Sequence, residues 1–287
     1  MNVKMIAGAL GAEISGIDLK DTSLENFEKI NKLFLEHKVL FFRNQNITIE
    51  EQLSLGKHFG PSEKHPYLKG LDKYPEILRI RKTANNRKAW GEGWHSDFSY
   101  NVKPTKAIIL RFVKVPPVGG DTCFSNMELA WETLDKKIQK KIIDKKAIHT
   151  SFNRPESFYT ADGVSFCGTM TRKWQLLSNG NDKEYKNEHP IVRTHPETGK
   201  KILFVNWMYT QKIVGLEKKE SDEILNKIFE HQAKLELTCR FTWTENTVCV
   251  WDNRSVIHFA IADFYKGRGL GYERVMDRIA IEGDQPC

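Results

Sequence analysis

Trp94-His95-Ser96-Asp97-Phe98-Ser99-Tyr100 is an aromatic, β-prone run that sets an imidazole and a carboxylate two residues apart. Side chains alternate across a strand, so on a strand His95 and Asp97 are expected to project to one side while Ser96 and Phe98 point to the other. Two such donors and a second histidine from elsewhere in the chain would make the 2-His-1-carboxylate face that holds non-haem Fe(II) and leaves coordination positions open. A lone His-x-Asp is also what many surface turns and satisfied polar pairs look like. The rest of the chain decides between these readings.

Upstream, residues 3–19 read as two short strands around Gly8 and Gly11. Leu24, Phe27, Ile30 and Phe34 then recur at helical spacing up to about His37. Val39-Leu40-Phe41-Phe42 is an apolar run that predicts a buried strand. Thr48, with Glu51 three residues on, predicts the capped start of a helix that runs to Phe59 and stops at Gly60-Pro61. The polar stretch 62–93, with one strand at 77–80, predicts loops leading to the His-x-Asp run. Downstream, residues 106–115 predict a long strand closed by Pro116-Pro117, and Gly119-Gly120-Asp121 turns the chain to deliver Thr122 onto a strand. Ala130, Leu134, Ile138 and Ile142, four apart, predict one helix over 127–146 with a lysine-rich outer face.

Residues 151–188 have no strong period and predict a long irregular insertion, of the kind that often serves as an active-site lid. Strands at 190–193 and 201–205 flank the turn His195-Pro196-Glu197-Thr198-Gly199. A helix is predicted over 221–234, and 237–243 with 248–251 predict a hairpin split by Glu245-Asn246. Two β-type runs, 254–261 and 272–281, end the chain. The first follows Trp251-Asp252-Asn253-Arg254 and carries His258 at the end of a strand-like run, where it could join His95 and Asp97. On its own it reads more readily as a satisfied core or surface histidine. In the second, Arg274 and Arg278 share strand parity and can present two guanidinium forks to carboxylates on one face; an edge strand with solubilising arginines is the plainer alternative. Thr122 could add a hydroxyl to such a site.

Bulk properties bound the class. The 287 residues, with 40% hydrophobic content and seven tryptophans, suffice for one elaborated domain. No stretch approaches the roughly 20 apolar residues of a membrane span. The N-terminal stretch does not fit a secretory signal, and five cysteines without a C-x-x-C pair suggest neither a disulfide framework nor a zinc site, so a cytoplasmic protein is expected. The net charge of +7 is compatible with an anionic small substrate. Its lysines are spread over helices and loops, as solvated faces usually are, so no nucleic-acid or membrane partner is predicted; a homo-oligomer is expected.

Trp94-His95-Ser96-Asp97, Gly119-Gly120-Asp121-Thr122, Trp251-Asp252-Asn253-Arg254 with His258, and Arg274-Val275-Met276-Asp277-Arg278 occur in this order. With the His195–Gly199 turn they resemble the taurine dioxygenase and 2,4-dichlorophenoxyacetate dioxygenase family of Fe(II)- and 2-oxoglutarate-dependent oxygenases, over nearly the whole chain. The resemblance implies a β-rich α+β fold, a double-stranded β-helix (jelly roll) core with flanking helices and the long insertion, in a single domain spanning 1–287. It implies Fe(II) held by His95, Asp97 and His258, and 2-oxoglutarate chelated to the iron with its far carboxylate on Thr122 and Arg274. O2 completes the set, giving succinate, CO2 and a hydroxylated substrate.

Arg268, in the inserted Gly267-Arg268-Gly269-Leu270-Gly271, rivals Arg274; the register with Arg278 favours Arg274. Arg278 and His65 match positions near an anionic substrate group. The family's taurine enzymes carry an Asn-rich segment before Trp-His, where this chain has Gly91-Glu92-Gly93, so a sulfonate contact from that segment is not implied. The substrate class implied is a small anionic molecule: a sulfonate, sulfate ester or phenoxyacid. A catalytically idle jelly-roll binding module, or an oxygenase of amino-acid derivatives, would share these features.

Overall fold

The computed structural model describes residues 1–83, 91, 93–151, 183–261, 263 and 271–287. Strands β1 (Asn2–Met5) and β2 (Ala12–Ser15) precede helix α1 (Leu24–His37), strand β3 (Val39–Phe42) and helix α2 (Ile49–Phe59). Strands β4 (Ser62–Glu63), β5 (Leu78–Lys82), β6 (Ala107–Lys114) and β7 (Thr122–Asn126) lead into helices α3 (Met127–Thr133) and α4 (Lys136–Ile142). Strands β8 (Lys146–Thr150), β9 (Lys186–Pro190), β10 (Val192–Thr194), β11 (Lys201–Leu203) and β12 (Thr210–Ile213) precede helix α5 (Lys218–Gln232). Strands β13 (Thr238–Phe241), β14 (Val248–Asp252), β15 (Val256–Ala260) and β16 (Arg274–Ile281) follow. The fold is β-rich α+β. Among the described residues no helix is long and apolar enough to cross a membrane.

Eight strands make the main sheet, in the order β1-β2-β3-β14-β6-β16-β4 with β5 also paired to β16. A three-stranded sheet, β13-β7-β15, packs on one side of it. The apolar runs of β3, β6 and β14 follow from burial on both faces, which removes the need for alternation. Val39, Phe41, Ile108, Leu110, Cys249 and Trp251 meet Phe124, Phe241 and Val256 of the smaller sheet. Their sequence neighbours Leu40, Phe42, Ile109, Val248 and Val250 meet Ile30 and Phe34 of α1 and Leu55 and Phe59 of α2. The reciprocal cap at Thr48 and Glu51 that starts α2 is present.

Three predicted elements differ. The helix expected over 127–146 is two helices, because Leu134 is extended and the Asp135 carboxylate accepts from the amides of Lys137 and Ile138, capping a new start. The spacing of four survives across the break, which is why periodicity alone does not reveal it. The expected hairpin 237–251 does not form: β13 pairs with β7 while β14 pairs with β3 and β6, so the chain crosses from one sheet to the other at Glu245-Asn246. Of the expected irregular insertion 151–188, residues 152–182 lie outside the described residues, and its end enters strand β9, which pairs with β8.

Phe41 is fully buried and stacks on Phe241 at a centroid distance of 3.7 Å, with Phe124 and Trp243 edge-on. Phe41→Ala empties the seam between the two sheets and is expected to cost about 3–5 kcal/mol, read as a lower urea midpoint with an unchanged slope. A loss below about 1 kcal/mol would mean that the seam does not carry the core.

Candidate metal centre and its cavity

The 94–100 run is not a strand. His95 forms a single antiparallel bridge with His258 of β15, His95 N–H donating to the His258 carbonyl at 3.1 Å and His258 N–H to the His95 carbonyl at 2.7 Å. The chain then turns at 97–100, and Phe98 takes a left-handed backbone, φ 52°. The expected alternation therefore does not operate; the turn brings Asp97 round to the side of His95. The Asn253 side chain holds that turn: its Oδ1 accepts from Asp97 N–H at 2.8 Å, and its Nδ2 donates to the carbonyls of Asp97 at 2.9 Å and Thr105 at 3.0 Å.

One ligand-type atom from each of His95, Asp97 and His258 lies within 4.8 Å of the others. His95 Nδ1 is 2.8 Å from the Gly93 carbonyl, which can only accept, so Nδ1 carries the proton. Its Nε2 lone pair then faces Asp97 Oδ1 at 3.4 Å. Two acceptors so placed repel unless a proton or a metal cation lies between them. His258 adds a buried Nδ1 with no hydrogen-bond partner among the described residues. Burial, then the nearby His95, lowers the His258 pKa to about 3, so the ring is neutral at physiological pH, the state in which it can ligate. Burial pushes the Asp97 carboxyl up, but the Arg278 guanidinium beside it holds it well below the usual range. Two imidazoles and a carboxylate suit a divalent transition metal, Fe(II) included.

His95, Asp97 and His258 line one cavity with Thr122, Arg274 and Arg278. Arg274 and Arg278 point to the same side of β16, as their parity predicts. Arg274 donates to the Gly120 carbonyl at 3.3 Å and lies 4.9 Å over the Phe112 ring; burial lowers its pKa to about 10, leaving it protonated at neutral pH. Thr122 Oγ1 accepts from Trp243 Nε1 at 3.0 Å, so its own proton is available to a second acceptor. Arg278 has Asp97 Oδ2 as partner, at 2.9 Å from Nη2 and 3.2 Å from Nε, and sits 4.9 Å over Phe98. His65 also lines the cavity, edge-on to Phe98, its Nδ1 accepting from the amides of Tyr67 and Leu68. Arg268 lies outside the described residues.

Sequence reasoning missed two things here. Asn253 was visible in Trp251-Asp252-Asn253-Arg254 but carried no role. The other residues of that motif form a buried cluster with the His195–Gly199 turn: Asp252 accepts from Arg254 Nε at 2.8 Å, from Arg254 Nη2 at 2.7 Å and from His195 Nε2 at 2.8 Å, and Arg254 Nη1 reaches Glu197 at 2.6 Å. This cluster braces the β14–β15 turn just before His258. No short-range spacing links His195 to Asp252, so only the fold reveals it.

The model of the taurine catabolism dioxygenase TauD, TfdA family matches residues 2–279. The chain is 32% identical to an alkylsulfatase of Acinetobacter baylyi over 99% of its own length and 86% of that protein's. It is 27% identical to an alpha-ketoglutarate-dependent sulfate ester dioxygenase of Pseudomonas putida, over 100% of this chain and 91% of the other. The crystal structure of a taurine dioxygenase from Burkholderia xenovorans superposes with a TM-score of 0.80 at 31% identity, covering 99% of this chain and 90% of that one.

Buried histidines make the metal-free protein acid-sensitive. Burial lowers His65 and His258 to about 3 and His189 to about 4. A histidine depressed in the folded state contributes stability fully above its unfolded value of roughly 6.5 and loses it as pH falls toward the folded value. Between pH 6 and 4.5 each is expected to remove up to about 1.4 kcal/mol per pH unit, seen as a falling urea midpoint. His189→Gln should flatten that slope; a midpoint independent of pH over this window would contradict the burial of these rings as neutral groups.

Proposed function

The chain belongs to the taurine catabolism dioxygenase TauD, TfdA family, and from that membership we propose that it is one catalytic domain with a jelly-roll core, in which His95, Asp97 and His258 hold Fe(II). The chain is a 2-oxoglutarate-dependent dioxygenase. The observation that carries the metal assignment is the convergence of one ligand-type atom from each of His95, Asp97 and His258 within 4.8 Å, with His95 Nδ1 committed to the Gly93 carbonyl so that Nε2 is the atom left for a metal. That pinned tautomer presents a lone pair to a metal, the role a carbonyl or carboxylate commonly plays behind a ligating histidine.

When bound, Fe(II) and 2-oxoglutarate supply oxidative decarboxylation to succinate and CO2 coupled to oxidation of a substrate C–H bond by O2. The chain's own residues bind and orient. Arg274 and the Thr122 hydroxyl receive the far carboxylate of 2-oxoglutarate, two charge-assisted contacts in a largely apolar wall. Arg278 and His65, which line the same cavity, receive the anionic head of the substrate. Met208, Leu68 and Ile80 offer an apolar surface beside them. A sulfate ester or sulfonate with an alkyl tail fits a cationic group beside such a surface, and the sulfate-ester activity named for two relatives supports this class. Hydroxylation at the carbon bearing an ester oxygen gives a hemiacetal sulfate, which collapses to an aldehyde and free sulfate.

Anaerobic Fe(II) with 2-oxoglutarate should produce a weak visible metal-to-ligand absorption. It should vanish in His95→Ala and persist in His37→Ala, whose ring belongs to α1; folded wild-type protein without the absorption would count against the metal assignment. Arg274→Ala is expected to raise the KM for 2-oxoglutarate roughly 10- to 100-fold, the worth of a lost charge-assisted bond, with a smaller effect on kcat. With a medium-chain alkyl sulfate, succinate, aldehyde and sulfate should appear one for one. Release of succinate at the same rate with and without every sulfonate, sulfate ester and phenoxyacid offered would sink the substrate class.

A further inference from the structure

We propose that Asn253 is the positioning residue of the metal centre: its side-chain amide fixes the Asp97 backbone in register with His258, so that the carboxylate and both imidazoles converge before a metal arrives. The inference rests on the reading of His95, Asp97 and His258 as metal ligands.

The two histidines have the mutual bridge to hold them, and β15 carries His258 within the smaller sheet. Asp97 sits instead in a turn, next to a residue with a left-handed backbone that side chains other than glycine's seldom adopt. A carboxylate on such a turn has no sheet ladder to keep its Cα in place. Asn253 supplies the equivalent of one. Its amide accepts from the Asp97 N–H and donates to the Asp97 carbonyl, the two bonds a neighbouring strand would make, and its second amide proton ties the pair to the Thr105 carbonyl.

Asn253 is itself immobilised. It is 1% exposed, its own N–H donates to the Lys106 carbonyl at 2.9 Å, and the β14–β15 turn on which it stands is closed by Ser255 N–H on the Asp252 carbonyl at 3.1 Å. Asp252, one residue earlier, is locked by Arg254 and His195. The same turn therefore sets Asn253 against Asp97 and, at the next strand, His258 against His95. Few side chains can substitute. The contact needs one acceptor and two donors in one plane at this reach: aspartate would set a second oxygen against two carbonyls, glutamine is one methylene too long, and alanine has neither group.

The test is Co(II) titration of the metal-free protein, followed by the visible d–d bands and the dissociation constant, with amide hydrogen exchange of Asp97 measured on the same wild-type sample. Ser255→Ala is the control: it changes the same turn at a buried hydroxyl that has no hydrogen-bond partner among the described residues. Wild-type and Ser255→Ala should bind Co(II) alike. Asn253→Ala and Asn253→Asp should bind about 10- to 100-fold more weakly, the range found when a group supporting a ligand is removed, with altered band intensities. Folded Asn253→Ala with wild-type affinity and bands overturns the proposal.

If both Asn253 variants fail to fold, hydrogen exchange decides: the Asp97 amide should be protected without metal, and free exchange overturns the clamp. Wild-type protein that takes up no Co(II) while its Asp97 amide is protected refutes the metal-ligand reading and, with it, the role given to Asn253; an unprotected amide in protein that does bind Co(II) refutes the clamp alone.

Discussion

Two imidazoles and a carboxylate bring one ligand-type atom each to within 4.8 Å of one another, and such a convergence has to be held from outside. That constraint organises the molecule. The antiparallel bridge fixes the two histidines backbone to backbone, and the Gly93 carbonyl fixes which nitrogen of His95 keeps its proton. The buried ion cluster of Asp252, Arg254, His195 and Glu197 stiffens the turn that leads to His258. Breaking such a cluster at one member leaves a buried charge uncompensated. The sheets beneath serve as the rigid ground: packed cores resist small displacements, and His258 on its strand, with the groups bonded to that strand and its turn, inherits that stiffness.

Charge is arranged around the same point. Arg274 and Arg278, four residues apart on β16, both enter the cavity, but they are differently compensated. Arg278 has a carboxylate at 2.9 Å, so the Asp97–Arg278 pair is close to neutral. Arg274 has a carbonyl, an aromatic face and the more distant Asp121 carboxylate, with its pKa lowered by burial yet still far above neutrality. Arg274 is buried in the wall of the cavity that Thr122 also lines, and that placement is what supports the proposal of the 2-oxoglutarate carboxylate there. An anion at Arg278 must instead compete with Asp97 for the same nitrogens. On the proposed reading substrate and metal ligand would share one cation, and the electron-donating power of Asp97 would depend on whether Arg278 is shared.

Much of this was legible in the chain. Apolar runs gave away β3, β6 and β14 because those strands are covered on both faces, and the parity of Arg274 and Arg278 held because β16 pairs with β5 in unbroken register over 274–278, the register shift beside Val275 and Met276 placing its extra residue on β6. The N-terminal helices were readable from period and cap alone. Legibility failed where the decisive contact is long-range or where a cap overrides a period. Asp135 interrupts a helix whose apolar spacing continues past it, and the crossing at Glu245-Asn246 is a pairing choice between sheets that no local residue encodes. The candidate site was legible in its composition but not in its geometry: His95, Asp97 and His258 could be picked out by type and order, whereas the support from Asn253 spans 156 positions.

The failure of the strand expectation at His95 and Asp97 has a physical reason. On an extended strand, residues i and i+2 share a face but stand roughly 6.6 Å apart with nearly parallel side chains. Such a pair lines a surface; it does not close on a common point. Donor atoms that must share one ion need their Cβ atoms to converge, so the backbone has to leave the extended conformation between the two ligands. Here it does so immediately after the His95 bridge, and the left-handed Phe98 completes the departure. The gain is convergence, and the loss is the ladder of backbone hydrogen bonds that would have held Asp97. A side chain able to accept and donate in one plane has to replace those bonds, and it has to come from an element already tied to the other histidine. The turn between β14 and β15 meets both requirements, which is why one short segment, Asp252 to His258, carries one proposed ligand, the support of another and the cluster that braces them.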